Sequence, residues 1–171
     1  LSVRGPLTRD ILALPNDTVM GDPGLIVGEI FPHRTPKYDV GVVLHYAHKS
    51  RGSEFLEAWP FLKAHFIDVE DDAGNVVTSI AECKSILSSS LHGLVIADAM
   101  GIPNMKLPMH DELMGGDFKF RDYFGSIGRD FAEFSGRESW ELLLDTKRIQ
   151  YQGNIDRSIS DQKSVLIRAL E

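Results

Sequence analysis

The sequence is poor in several features that would narrow its function at once. It holds one cysteine, Cys83, in 171 residues. A single thiol excludes an internal disulfide framework and fits a reducing compartment. Paired cysteines and His-x-x-x-His spacing are both missing. His33, His45, His48, His65, His92 and His110 are scattered, so no metal site is expected, and His45-x-x-His48 alone is a weak ligand pair. Neither a Gly-x-Gly-x-x-Gly loop nor a Walker loop is present, which leaves a dinucleotide or ATP site without motif support. No apolar run approaches the ~18 residues of a membrane span, and no stretch reads as a signal peptide, so the expected location is cytoplasmic. Positive charge is also scarce. With 18 Lys and Arg against 25 Asp and Glu the formal charge is −7, and nucleic acid is not an expected partner, because phosphate backbones select basic faces.

What is present describes a globular chain. Hydrophobic residues make up 43% and charged residues 25%, and the length suffices for one domain with its own core. No internal repeat, low-complexity tract or coiled-coil heptad is visible. Residues 38–46, Tyr-Asp-Val-Gly-Val-Val-Leu-His-Tyr, read as a central strand covered on both faces. Shorter strands are expected at the chain start through Arg4, at Val19-Met20, at 65–69, at 85–87 and at 104–107. Helices are expected from Pro6, with Leu7, Ile11, Leu12 and Leu14 inward, and at 54–64, 76–84, 91–100, 129–134 and 139–147. A last helix should run from Ser160 or Asp161 to Leu170, with Val165, Leu166 and Ala169 inward. Residues 28–36, 108–116 and 151–157 read as connections, and 118–127 as a segment that mixes aromatic and basic residues. Strands alternating with helices predict an α/β fold with a doubly wound, mainly parallel, Rossmann-like sheet and helices on both faces.

The most informative stretch is residues 88–103, SSSLHGLVIADAMGIP. Three serines offer N-cap hydroxyls, and Leu91 to Met100 is apolar on nearly every side, as a helix packed inside a domain should be. Gly101 suits the left-handed residue after a helix end, and Pro103 blocks continuation. With its flanking strands this makes one βαβ crossover. The polar residues collect at the carboxyl end of the first strand and the amino end of the helix, where open α/β sheets place ligands and where phosphate or carboxylate is favoured. Ser89, Ser90, His92 and Gly93 are therefore candidate binding residues, and an anion is expected near them. His92 is the best acid–base candidate, because the helix dipole favours a neutral imidazole able to accept a hydroxyl proton. Arg4, closing a strand before a Gly-Pro helix start, could hold carboxylate or phosphate bidentately. His45 and Tyr46 end the central strand and could face the same crevice. Lys119 and Arg121 alternate with Phe118 and Phe120, which in an extended segment puts both cations on one side. Each has a plainer alternative: a histidine satisfying a backbone carbonyl, a surface ion pair, a solvated edge strand. Asp22 reads as a turn former rather than a base, and Cys83 as buried and inert.

The stretch SSSLHGLVIADAMGIP resembles the signature of the polysaccharide pyruvyltransferase family. Two further segments resemble the same family in the same order. They are Ser2-Val3-Arg4-Gly5-Pro6-Leu7-Thr8 with Gly21-Asp22-Pro23, and Phe118-Lys119-Phe120-Arg121-Asp122-Tyr123-Phe124 with Ser126-Ile127-Gly128. The resemblance implies a transferase that moves pyruvate from phosphoenolpyruvate to a sugar of an exopolysaccharide or capsule repeat, forming a ketal. No cofactor is implied, since phosphoenolpyruvate is itself the donor substrate. In such an enzyme His92 and Arg4 would be catalytic, and Ser89, Ser90, Gly93, His45, Tyr46, Lys119 and Arg121 would bind substrate. The implied acceptor is a lipid-linked oligosaccharide or glycan, with peripheral association to the inner membrane face and a homo-oligomer as further expectations. The implied architecture is half of a GT-B-like protein, in which residues 1–171 form one α/β domain at the carboxyl-terminal portion of a longer chain and 129–171 its terminal helical segment. Alone, such a half is expected to be catalytically incomplete. A GT-B glycosyltransferase using a nucleotide sugar, or a non-catalytic carbohydrate-binding half, are the alternatives.

Overall fold

The computed structural model describes residues 2–51, 63–108, 115–131, 133 and 154–168. Two parallel sheets form its frame. The smaller pairs β1 (Ser2–Val3) with β2 (Val19–Met20), and helix α1 (Pro6–Ile11) links them. The larger sheet has four parallel strands: β3 (Val40–Val43), β4 (Ala64–Ile67), β5 (Ile86–Ser88) and β6 (Asn104–Lys106). Around them lie α2 (Val27–Ile30), α3 (Ala73–Ala81), α4 (Leu91–Ala99), α5 (Phe118–Ser126) and α6 (Asn154–Arg168), with 3-10 turns at Pro23–Ile26 and Tyr46–Arg51. The expected mixed α/β fold with parallel, Rossmann-like strands is thus the observed one.

Strand order in the larger sheet is β4-β3-β5-β6. The chain steps from β3 outward to β4, then returns past β3 to lay down β5 and β6 on the other side. The reversal between β3 and β5 is a topological switch point, where the loops at the carboxyl ends of the two strands diverge and leave a crevice.

Side chains of β3 alternate across the sheet, as a pleated strand requires. Val40, Val42 and Leu44 pack with Leu87, Met105 and Leu107. Val43 joins Ile67, Ile86, Ile80 of α3 and Ala97 of α4 on the other face. The all-round apolar character of α4 follows from its position. One side lies on the sheet, and Leu91, Leu94, Val95 and Ala99 pack outward against Leu25, Phe120, Tyr123, Phe124, Ile127 and Ile159. At its end Gly101 has φ of +67°, as expected.

Several expectations are corrected. Residues 118–127 are not extended: α5 covers Phe118–Ser126, because Phe120, Tyr123, Phe124 and Ile127 recur at helical spacing and are all buried. The apolar residues of α1 do not turn inward, and Leu7, Ile11 and Leu12 are exposed. That helix is held instead by Asp122 of α5, which accepts from Thr8 N–H at 3.0 Å and from the Thr8 hydroxyl. Gly5 makes the approach possible, since a Cβ there would lie 1.9 Å from Asp122 O. Residues 28–30 belong to α2 rather than to a connection. The last helix begins at Asn154, and its buried residues include Ile159, Gln162 and Leu166. Near residues 129–134, Arg129 and Phe131 are not helical, and Glu133 bridges in parallel to Lys106. The helices expected at 54–64 and 139–147 lie outside the described residues, except that Lys63 is not helical and Ala64 opens β4.

Candidate active site

The crevice at the switch point is a real cleft. Arg4, His45, Tyr46, Val69, Ser90, Leu91, His92 and Lys119 line about 330 Å³. Three motif segments far apart in the chain meet there. β1 brings Arg4, the turn after β5 brings Ser90 and His92, and the first turn of α5 brings Lys119. The Asp122–Thr8 contact that joins α5 to α1 fixes Lys119 and Arg4 on the same wall.

The serines do not act as expected. Ser90 is the N-cap of α4 by backbone geometry, yet among the described residues no side chain caps that helix. Ser88 Oγ accepts from Ser90 N–H at 3.0 Å and lies 3.0 Å from Val43 O and 2.7 Å from Ser90 O. Ser89 is buried, and its Oγ accepts from His45 N–H at 2.9 Å. Ser88 and Ser89 therefore tie the ends of β3 and β5 together, and neither is the N-cap of α4. Gly93 also has a different reason for being glycine. Its face is turned to the strands, where a Cβ would meet Ser88 Oγ at 2.4 Å and Val43 Cγ1 at 2.9 Å.

His45 sits at the mouth of the switch point, half-buried. Its Nδ1 accepts from Ala47 N–H at 3.3 Å. Burial, then the charges of Lys119 and His48, hold its pKa below the ordinary histidine value. A neutral ring whose Nδ1 accepts carries its proton on Nε2 and is a hydrogen-bond donor. Tyr46 lies on the rim, 65% exposed, with its ring centroid 4.3 Å from that of His45. Lys119 is depressed by burial and by the neighbouring Arg4 and Lys106. Crowding of cations at a half-buried spot is unfavourable by itself, and an anion relieves it.

His92 projects from the first turn of α4 with its side chain 68% exposed. Its Nε2 is 3.9 Å from Oδ1 of Asp22, whose Oδ2 accepts from Arg4 Nε at 3.3 Å. Asp22 also accepts from Gly24 N–H at 2.9 Å, so the turn role expected of it is real. Its contact with two site residues went unforeseen, because a carboxylate before Pro-Gly gives only the local turn signal. Lys106 was likewise missed. It ends β6 beside Ser88, is buried, and pairs with Asp117 at 2.8 Å and with Glu133.

Arg121 is placed elsewhere. In a helix, positions 119 and 121 point to opposite sides, and the Arg121 guanidinium stacks 4.0 Å over the Phe131 ring. Among the described residues no group of three His, Cys, Asp or Glu could hold a metal ion. Cys83 is buried, and its thiol is pushed up to about 12, chiefly by burial. No helix among the described residues is long and apolar enough to cross a membrane.

Two curated proteins resemble this one over much of its length. The uncharacterized protein L143 of Acanthamoeba polyphaga mimivirus is 33% identical over 115 residues, covering 64% of this chain and 40% of that protein. The succinoglycan biosynthesis protein ExoV of Rhizobium meliloti (strain 1021) is 26% identical over 185 aligned positions, covering 98% of this chain and 56% of that protein. The chain therefore spans about half the length of these relatives. No solved structure matches it. Residues 1–108, which carry β1 through β6 and all but Lys119 of the cleft lining, match the family model for polysaccharide pyruvyl transferase. The chain belongs to the polysaccharide pyruvyl transferase family.

Proposed function

We propose that this chain supplies the donor wall of an enzyme that transfers pyruvate from phosphoenolpyruvate to a sugar of an exopolysaccharide repeat. The observation that carries the reading is the convergence of Arg4, Lys119 and His92 on the uncapped amino end of α4. Phosphoenolpyruvate carries a carboxylate and a phosphate close together. Two cations beside the positive end of a helix dipole match that charge distribution.

In the proposed reaction the methylene carbon of the donor takes up a proton. A sugar hydroxyl adds to the neighbouring carbon and releases its own proton. Phosphate leaves, and a second hydroxyl closes the ketal, its proton balancing the charge of the departed phosphate. His92 is assigned the proton transfers, because it is exposed to the cleft and can accept from a hydroxyl. Arg4 and Lys119 hold the donor's anionic groups and stabilise departing phosphate. His45, a neutral Nε2–H donor, and the Tyr46 ring lie where the acceptor sugar would enter. A lipid-linked acceptor at the membrane surface and a second α/β half closing the cleft, as in GT-B enzymes, complete the proposal.

The test is phosphate release from phosphoenolpyruvate in the presence of a purified acceptor glycan, measured for this chain and for any longer parent polypeptide. Release that depends on the glycan is expected, with a pyruvylated product by mass spectrometry. Turnover of a nucleotide sugar without phosphate release would overturn the reading.

A further inference from the structure

We propose that Asp22 is the positioning residue of this site: its one carboxylate anchors Arg4 and orients the His92 ring. The inference rests on the functional reading above and adds a role to a residue that reads locally as a turn former. The geometry is asymmetric. The Asp22 side chain is 6% exposed, whereas those of Arg4 and His92 are 34% and 68% exposed. A nearly buried carboxylate thus lies beneath two solvent-facing groups. Its own place is secure. Gly24 N–H donates to Oδ1, and the 3-10 turn it caps puts Leu25 into the same cluster as Leu91, Leu94 and Val95 of α4. Packing between that turn and α4 therefore sets the spacing of carboxylate and ring.

Each contact has a chemical consequence. Asp22 Oδ2 engages Arg4 at Nε, which leaves the two terminal nitrogens of the guanidinium to grip an anion bidentately. Oδ1 faces Nε2 of His92 at 3.9 Å, so closure of about 1 Å makes a hydrogen bond. Tightening of this size is common when a substrate enters a catalytic site. A carboxylate there favours the tautomer with its proton on Nε2 and leaves the Nδ1 lone pair for a substrate hydroxyl. It also stabilises the imidazolium formed when that proton arrives.

The test uses Asp22→Asn, which keeps an acceptor for Gly24 N–H and removes the charge. In protein saturated with inorganic phosphate, nitrogen-15 shifts of the His92 ring should report mainly Nε2–H in the native protein and a mixture in the variant. In turnover, D22N should lower kcat by about 10²-fold, as loss of an oriented acid–base group does. It should also raise KM for phosphoenolpyruvate by about tenfold through the loosened Arg4. Combined with His92→Ala, D22N should lower kcat no more than about twofold further, since both changes remove one function. Should D22N fail to fold, Asp22→Ser retains a short cap for Gly24 N–H and carries the same comparison. Identical tautomer populations in native protein and variant, or the full kcat loss in the His92→Ala background, would overturn the assignment. If the native protein releases no phosphate from phosphoenolpyruvate, the functional reading falls, while the tautomer measurement still judges Asp22.

Discussion

The two ends of α4 share one dipole and are treated oppositely. At the carboxyl end every device closes the helix. Lys163 of α6 donates to Ala99 O at 2.8 Å, Gly101 turns left-handed, and Asp98 is bound to Asn104 Nδ2 at 2.6 Å and the Tyr123 hydroxyl at 2.9 Å. At the amino end the serines that could cap it serve the strands instead, and Arg4, Lys119, His45 and His92 surround the opening. Helix ends usually find partners within the protein. The amino end carries two cations, Arg4 and Lys119, and two imidazoles, and the proposed function would place the donor's anionic groups there.

The comparison can be broken at either end. The largest expected effect is at the open one. His92→Ala should cut phosphate release by about 10²–10⁴-fold while the melting temperature stays unchanged, because the ring is exposed. Comparable turnover in the folded variant would remove His92 from the chemistry. Next comes Gly93→Ala, one residue on but facing the strands. Its new methyl meets Ser88 Oγ and Val43 Cγ1, and denaturant titration should show a loss of about 1–3 kcal/mol. Full stability would mean that the β3–β5 edge is loose, and the cleft less fixed than described.

At the sealed end, Lys163→Met removes the cation from the last carbonyls of α4. A loss of about 1 kcal/mol is expected, with no change in KM for phosphoenolpyruvate. A changed KM would show the two ends to be coupled. The smallest effect concerns pH. His45 is depressed in the folded protein, so the unfolded chain takes up the proton first on acidification. The stability it contributes is present above the ordinary histidine value near ~6.5 and is lost as pH falls through the lower folded value. His65, also depressed by burial, adds to the same slope. Urea midpoints should therefore fall between pH 7.5 and 5.5, and His45→Gln should flatten part of that fall.

Much of this was legible in the sequence. The βαβ unit from Ile86 to Lys106, the central strand Val40–Val43, and the candidacy of Arg4, His45, Ser90, His92 and Lys119 follow from periodicity, punctuation and motif. Residues 118–126 misled because Phe-Lys-Phe-Arg alternates over four positions, a strand signal, while the helical recurrence of Phe120, Tyr123, Phe124 and Ile127 needs eight. Asp98 interrupts an apolar helix for no local reason. Its partners Asn104, Tyr123 and Arg129 lie on other elements. Gly93 reads in the sequence as leaving room for a ligand, but its missing side chain answers to Ser88 and Val43 instead.

What the sequence determined by itself are the elements whose cause is local. Spacing of apolar residues sets a helix or a strand, Gly101 and Pro103 end α4, and Asp22 starts a turn, because each acts on neighbours within a few residues. Only the tertiary structure decided that β3 would lie between β4 and β5. That reversal opens the crevice between residues 45 and 92, and packing of α1, α5 and the Pro23–Ile26 turn brings residues 4, 119 and 22 to it. Loop closure depends only weakly on chain length, so nothing local announces which strands will pair. The choice is made by which apolar faces can be buried together, and that is a property of the whole fold.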